Sequence, residues 1–311
     1  MIKKIELSNG LRVSEVALGA MMFGTTTSEA DAFEILDAFV DFGGNFIDTS
    51  NNYAHWAGSG DESETVLGNW LRRRACRDRI VLATKVGFDR HGEGAGLRKA
   101  QIVYWIEESL RKLNTDYVDL YYAHTDDANT PLDETMAAFD SLVKAGKVRH
   151  LGGSNYDTWR YAEANMLAAQ RGWTPFTVMQ QCFTYLKPRF DIAPKYIFNE
   201  KTNRERLRFL RDKNQPLVAY SSLCKGGYED ETRLPGDYIA GERLQTLRSM
   251  AAEKGITASA LAIAWMVNLH RCPGFPRVIP LFGASAKHLA DNLRGLDVEL
   301  TDLELQTLNQ A

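Results

Sequence analysis

The feature that most constrains the fold is a regular alternation of short strand-like runs with longer amphipathic segments. The strand-like runs are rich in β-branched and aromatic residues, and eight of them follow one another along the chain. They span residues 13–19, 45–49, 80–86, 118–124, 149–154, 176–180, 216–221 and 277–283. Strands that are joined by helices run parallel, and eight parallel strands close most economically into a barrel. The sequence therefore predicts an α/β protein built as a (β/α)8 barrel.

The segments around these runs complete the predicted architecture. Asn9-Gly10 lies between residues 2–7 and 11–13, which is the pattern of an N-terminal β-hairpin. Crossover helices are predicted over residues 29–42, 63–74, 98–113, 132–144, 158–171 and 205–212. No Pro/Ser-rich linker and no further repeat divides the chain. We therefore expect one barrel domain over residues 1–311.

Composition argues against several other classes of protein. Hydrophobic residues make up 44% of the 311 residues and charged residues 25%, as in folded globular proteins. The formal net charge of −3 disfavours nucleic acid and anionic membranes as partners. The longest nearly apolar stretch, residues 258–267, is far shorter than the roughly 20 residues that span a bilayer. Four well-separated cysteines without a CxxC spacing, and an N-terminus unlike a secretory signal, favour a reducing, cytoplasmic location.

Polar residues end three consecutive strands of the predicted barrel. Asp48, Lys85 and His124 each follow an apolar run, and Tyr53 lies in the loop after Asp48. Barrels place their active sites at the carboxyl ends of the strands, so we expect these four side chains to share one mouth. Taken singly, Asp48 also suits a turn cap, Lys85 a solvated cation and His124 a partner for a loop carbonyl. Together they favour catalysis, because charged residues rarely end buried strands without partners.

The same residues belong to ordered motifs that resemble the aldo-keto reductase family. The motifs are residues 46–49 with Tyr53, 60–68, 83–85, 119–122 before His124, 144–155 and 219–221. The resemblance extends from the hairpin to Asn292. It implies an NADP(H)-dependent oxidoreductase that reduces an aldehyde or ketone, such as a sugar or a small carbonyl compound, to an alcohol. It also implies that Asp48, Tyr53, Lys85 and His124 form the catalytic tetrad of that family.

Physical chemistry agrees with these roles. A phenol with a pKa near 10 holds its proton too tightly for efficient general-acid catalysis at neutral pH. A lysine ammonium about 4 Å away favours tyrosinate by roughly 4 kcal/mol at an effective dielectric constant near 20, so we expect Lys85 to lower the pKa of Tyr53. Asp48 is expected to keep the buried Lys85 charged, and His124 to orient the substrate carbonyl.

No GxGxxG motif follows a strand in this chain, so the sequence does not indicate a Rossmann-type nucleotide site. The residues expected to bind the nucleotide are those that the resemblance to the family implies. Ser154 and Asn155 match the pair that holds the nicotinamide carboxamide, and Gln180 or its neighbour Gln181 matches the amide beside them. Tyr220 matches the aromatic ring that stacks on the nicotinamide. The other expected cofactor contacts are Gly19, Met21, Ser221, Ser222, Leu223, Gly283, Ser285, Lys287, Asp291 and Asn292. A helix cap at Ser154-Asn155 and core packing of Tyr220 are the alternatives.

Lys287 is the residue from which we predict the preference between NADP(H) and NADH. It follows Gly283 at a predicted helix start, where a positive charge suits a 2′-phosphate and favours NADP(H). The family usually carries an Arg or Lys closer to this glycine, which leaves NADH open. Phe23 and Trp56, together with the long loop at residues 187–201, are expected to line the substrate pocket or to pack at its rim.

Two other functional classes also use a (β/α)8 barrel. A redox-sensing, nucleotide-binding regulatory subunit with slow turnover has the same fold. A barrel metallohydrolase needs an HxH pair on the first strand, and the six histidines show no such spacing, so we expect no metal site. The chain also lacks the GxSxG motif of covalent hydrolases. The partner that the sequence predicts is therefore a small carbonyl substrate.

Overall fold

Eight parallel strands close into a barrel in the computed structural model, which describes residues 1–89, 92, 95–189, 191–192 and 201–311. In chain order the strands are β1 (Lys4–Glu6), β2 (Arg12–Ser14), β3 (Ala17–Gly19), β4 (Phe46–Asp48), β5 (Val81–Val86), β6 (Val118–Ala123), β7 (Val148–Ser154), β8 (Phe176–Cys182), β9 (Lys187–Pro188), β10 (Leu217–Tyr220), β11 (Tyr238–Ile239) and β12 (Val278–Phe282). The barrel consists of β3 to β8, β10 and β12, and it closes where β12 pairs with β3 and β8 with β10. The predicted (β/α)8 barrel is confirmed.

The N-terminal hairpin is present and covers one end of the barrel. β1 and β2 pair antiparallel, and Leu7 and Leu11 pack into the apolar cluster inside the barrel. The single strand predicted over residues 13–19 is wrong, because β2 ends at Ser14 and the barrel strand β3 begins at Ala17. The Ser14 hydroxyl donates to the Val16 carbonyl at 2.7 Å, and this local bond turns the chain between the two strands.

Helices surround the barrel strands. They are α1 (Glu29–Asp41), α2 (Glu62–Arg74), α3 (Lys99–Leu113), α4 (Leu132–Lys144), α5 (Thr158–Arg171), α6 (Arg204–Asp212), α7 (Gly241–Glu253), α8 (Ala258–Asn268), α9 (Ala286–Leu293) and α10 (Asp302–Gln310). The six predicted helices are all present, with ends that agree within one residue. The apolar stretch noted at residues 258–267 is α8, which is buried almost throughout against its neighbours. Among the described residues, no helix combines the length and apolar character that a membrane crossing needs.

The two long loops after β8 and β10 are joined to each other. β9 and β11 pair antiparallel, with Tyr238 opposite Pro188. Lys201 forms an ion pair with Asp237 at 2.8 Å, which adds a second connection. Residues 190 and 193–200 of the loop expected to line the substrate pocket lie outside the described part of the chain. Because β9 and β11 belong to the described parts of the two loops and pair with each other, both loops lie on the same side of the molecule.

Candidate active site

Three neighbouring strands bring an acid, a base and a histidine to one end of the barrel. Asp48 is the last residue of β4, Lys85 the penultimate residue of β5, and His124 follows the last residue of β6. The strand register places Asp48 beside Ala83, and Lys85 beside Tyr122. Since the carboxyl ends of parallel strands open onto the same mouth, the three side chains converge there.

Asp48, Lys85 and Tyr53 form one hydrogen-bonded cluster. The Lys85 ammonium donates to Asp48 Oδ1 and, at 2.6 Å each, to the Tyr53 hydroxyl and the Thr49 carbonyl. The Tyr53 hydroxyl donates to Asp48 Oδ1 at 3.0 Å. Asp48 and Lys85 are both 0% exposed, and a buried charge is tolerated only when it is paired. The structure thus brings the predicted phenol and cation into direct contact.

Gln180 binds the second oxygen of the same carboxylate. Its side-chain amide, on β8 across the barrel, donates to Asp48 Oδ2 at 2.8 Å, and both residues are buried. Asp48 therefore accepts hydrogen bonds from Lys85, Tyr53 and Gln180. The sequence predicts that Gln180 or Gln181 binds the cofactor carboxamide. The bond to Asp48 uses one of the two N–H donors of the Gln180 amide.

Contacts of its backbone and of its ring hold His124 in place. Its backbone N–H donates to the Val86 carbonyl at 2.8 Å, and its Nδ1 lies 3.1 Å from the Ser50 hydroxyl. Its ring packs edge-on against Phe88, with centroids 4.5 Å apart, and against Tyr53, with centroids 5.9 Å apart. Burial, followed by the nearby charge of Lys85, lowers the pKa of His124 well below its ordinary value. The imidazole is therefore neutral at physiological pH.

The electrostatics of Tyr53 differ from the sequence-based expectation. Burial of the hydroxyl, followed by the negative charge of Asp48, raises the pKa of Tyr53 well above its ordinary value. Burial also lowers the pKa of Lys85, although Asp48 opposes that change. The expected lowering of the Tyr53 pKa is wrong because burial disfavours the phenolate and because Asp48, 3.0 Å from the hydroxyl, opposes the effect of Lys85. Tyr53 consequently keeps its proton at neutral pH.

The residues expected to hold a nicotinamide lie at the ends of the next strands. Ser154 is the last residue of β7, and Tyr220 is the last residue of β10. Asn155 Nδ2 donates to the His124 carbonyl at 2.8 Å, and the Tyr220 hydroxyl donates to Asn155 Oδ1 at 2.7 Å. The Asn155 backbone is left-handed, with φ of 56°. These contacts connect the expected cofactor residues to the tetrad.

The other expected cofactor residues divide into exposed and buried groups. Gly19 and Gly283 are adjacent at the closing seam of the barrel. Ser221 is exposed with φ of 56°, whereas Ser222 and Leu223 are buried, so contacts from the latter two would come from their backbones. On α9, Ser285 is the N-cap and Lys287 is exposed, whereas Asp291 is partly buried and Asn292 buried. The cofactor contacts of all these residues stay predictions.

The mouth is lined by large side chains. Met21 is 42% exposed and Trp56 is 61% exposed, and Trp56 packs edge-on against His55. Phe23 is only 3% exposed and belongs to the core, which favours the packing role that the sequence left open. Sequence reasoning missed Phe88, although its position three residues after Lys85 on the same strand end was a usable signal.

The fold and the site together define a barrel enzyme with a phenol, a cation and a neutral imidazole at its mouth. A family model described as the aldo/keto reductase family matches residues 15–311. The chain belongs to this family, as its resemblance predicted.

Curated relatives cover nearly the whole chain. Norsolorinic acid reductase stcV of Emericella nidulans is 33% identical over 97% of this chain and 79% of that protein. Aldo-keto reductase ausK of Aspergillus calidoustus is 31% identical over 97% and 79%, respectively. The putative aryl-alcohol dehydrogenase AAD14 of Saccharomyces cerevisiae is 29% identical over 99% of this chain and 85% of its own length.

Proposed function

We propose that this chain reduces an aldehyde or ketone to an alcohol with NADP(H), and that Tyr53 is the proton donor. The observation that carries the proposal is the Tyr53 hydroxyl held between Lys85 and Asp48, next to the neutral His124 ring. Membership of the aldo/keto reductase family supports the same reaction.

The chain's own residues account for the proton in this reaction. When bound, the nicotinamide supplies the hydride that reaches the carbonyl carbon. The substrate oxygen then gains negative charge and becomes a stronger base than a phenolate. Tyr53 therefore donates its proton favourably even with a raised pKa, and Lys85, at 2.6 Å, stabilises the phenolate that remains. Asp48 keeps Lys85 protonated, and His124 binds the substrate oxygen.

The residues at the mouth fit a nicotinamide nucleotide. Polar side chains end β7 and β10, and the N-terminus of α9, where Ser285 accepts from the His288 N–H, carries the partial positive charge that favours an anion. Lys287 in the first turn of α9 adds a positive charge suited to a phosphate. Ser154, Asn155 and Tyr220 would hold the nicotinamide end, and Ser285 and Lys287 the phosphate end.

We further propose that the substrate carries an aromatic group next to its carbonyl. Phe88 packs against the His124 ring, Trp56 lies 61% exposed in the loop after β4, and such rings pack well against another ring. The relatives named norsolorinic acid reductase and aryl-alcohol dehydrogenase agree with this class. A screen of aryl aldehydes, aryl ketones, sugars and small aliphatic aldehydes tests it, and faster turnover of sugars would contradict it.

Location is a separate proposal. The cysteines Cys76, Cys182, Cys224 and Cys272 form no disulfide, which supports a reducing compartment such as the cytoplasm.

Replacing Tyr53 by phenylalanine tests the proposed function. Tyr53→Phe removes only the hydroxyl, so we expect kcat for carbonyl reduction to fall by about 100- to 10,000-fold, the usual contribution of a general acid. NADPH binding, followed by cofactor fluorescence, should stay close to wild type because the ring remains. Unchanged turnover in Tyr53→Phe would remove the central claim, and lost NADPH binding would show a disturbed site instead.

A further inference from the structure

Ser50 lies where the loop after β4 meets His124. It is 0% exposed and follows Thr49, whose carbonyl binds Lys85. The Ser50 hydroxyl oxygen is 3.1 Å from His124 Nδ1 and 2.8 Å from Asn52 Oδ1. Asn51 Oδ1, at 3.5 Å, is a further neighbour that can only accept. A serine hydroxyl has one proton, so it donates to one acceptor and its oxygen accepts from a donor.

The donor and the acceptor in each of these hydrogen bonds follow from the chemistry of the groups around Ser50. Asn52 Oδ1 is a carbonyl oxygen that only accepts, so Ser50 donates to it. The Ser50 oxygen must then accept from an N–H at His124 Nδ1. Because the imidazole is neutral, it carries one N–H, and a proton on Nδ1 leaves a lone pair on Nε2.

We propose that Ser50 is a positioning residue that sets the tautomer of His124 and holds the imidazole proton on Nδ1 in the free protein. Other contacts hold the His124 ring next to the Ser50 hydroxyl. Phe88 packs against it at 4.5 Å between centroids, and the His124 backbone is bound to Val86 and Asn155 on either side. The hydrogen bond made by one ring nitrogen decides which of the two nitrogens carries the proton.

The consequence for catalysis rests on the proposed reductase function. An alcohol O–H donates to a bare Nε2, whereas a carbonyl oxygen needs an N–H there. To receive a carbonyl, the imidazole must carry its proton on Nε2 instead, and the hydrogen bond from Nδ1 to Ser50 is then lost. Ser50 therefore disfavours the tautomer that binds a carbonyl.

The tautomer is measured directly by nitrogen NMR. The whole protein is labelled with ¹⁵N at its six histidines, without cofactor or substrate, and the His124 signals are identified by their loss in His124→Gln. Wild type should show a proton mainly on Nδ1. Ser50→Ala should shift the proton towards Nε2, and Ser50→Thr, which keeps the hydroxyl, should retain the wild-type pattern. A wild-type proton on Nε2, or the same pattern in Ser50→Ala, overturns the proposal.

Ser109→Ala is the matched control. Ser109 is also 0% exposed, lies on α3, and its hydroxyl has no hydrogen-bond partner among the described residues. Its replacement removes a buried hydroxyl away from His124 and should leave the nitrogen signals unchanged. A shift of the His124 signals in Ser109→Ala equal to that in Ser50→Ala would show a general response to a lost hydroxyl and would count against Ser50.

Kinetics separates this proposal from the proposed function. Ser50→Ala removes the partner that holds the proton on Nδ1, so kcat/KM for carbonyl reduction should rise, by about fivefold at most for one neutral hydrogen bond, and Ser50→Thr should return it to the wild-type value. Unchanged kcat/KM in Ser50→Ala would overturn the catalytic consequence. If wild type reduced no carbonyl compound, the proposed function would fail, whereas the NMR result on the tautomer would stand by itself.

Discussion

At the scale of single residues, the site depends on one carboxylate. Asp48 accepts hydrogen bonds from Lys85, Tyr53 and Gln180, which reach it from three different parts of the chain. The Asp48 and Lys85 charges lie in a low-dielectric interior, where they stabilise each other and where removal of one leaves the other unpaired. Tyr53 keeps its proton because burial, followed by the negative charge of Asp48, raises its pKa.

Lys85→Met tests this coupling. The variant leaves Asp48 buried and unpaired, so we expect the free energy of unfolding in urea to fall by about 3–5 kcal/mol. Reduction activity should be lost or its pH optimum displaced, because nothing stabilises the tyrosinate. In the double variant Lys85→Met with Asp48→Asn, most of the stability should return while activity stays low. A double variant that is no more stable than Lys85→Met would contradict the pairing argument.

At the scale of elements, the close approach of two helices helps to position strand β5. α2 and α3 meet at Gly68, where an added Cβ would overlap the Lys112 carbonyl. Beside this contact the Thr84 hydroxyl, on β5, donates to Glu64 of α2 at 2.6 Å. The strand that carries Lys85 is thereby held to the helix layer behind it.

Gly68→Ala tests that contact. Alanine is the better helix former by about 1 kcal/mol, but here it forces two backbones apart, so we expect a net loss of about 1–3 kcal/mol in the free energy of unfolding. Gly236→Ala is the control, because a Cβ at Gly236 meets nothing within 4 Å. Equal stability of Gly68→Ala and wild type would show that the helices separate without cost.

The proposed preference for NADP(H) is tested at Lys287 on α9. Lys287→Ala removes the positive charge in the first turn of this helix, so we expect the ratio of NADPH to NADH affinity to fall about tenfold, as for a lost hydrogen bond to a charged group. Lys213→Ala, at the C-terminal end of α6, removes the same charge from the other end of the barrel and should not change the ratio. If both variants keep the wild-type selectivity, Lys287 has no part in it.

At the scale of the whole molecule, closure of the barrel controls solvent access. The hairpin covers the amino end, and an apolar cluster fills the interior as far as Tyr122 beneath Lys85. The mouth is consequently the accessible end for the tetrad, and the paired strands β9 and β11 lie among its loops. A neutral, partly buried histidine at this position makes the stability of the entire fold dependent on pH.

Acid titration of stability tests the state of His124. Folding lowers the pKa of His124, so below about pH 6.5 the unfolded chain binds a proton at this residue and the folded chain does not. The contribution of His124 to the free energy of unfolding is therefore present above that pH and is lost as the pH falls. Each such histidine contributes a slope of at most about 1.4 kcal/mol per pH unit. Urea unfolding between pH 7.5 and 5 should show a shallower slope for His124→Gln. An equal slope would mean that His124 is already protonated in the folded chain.

The sequence by itself determined the barrel, the hairpin and the four residues that meet at its mouth. Strand order follows from β/α alternation, and neighbouring strand ends are close whatever the details of packing. Only the tertiary structure decided that Gln180 binds Asp48, that Ser50 faces His124 and that Tyr53 keeps its proton. These outcomes depend on side-chain directions and on the balance of charges a few ångströms apart, which residue types and spacing along the chain do not specify.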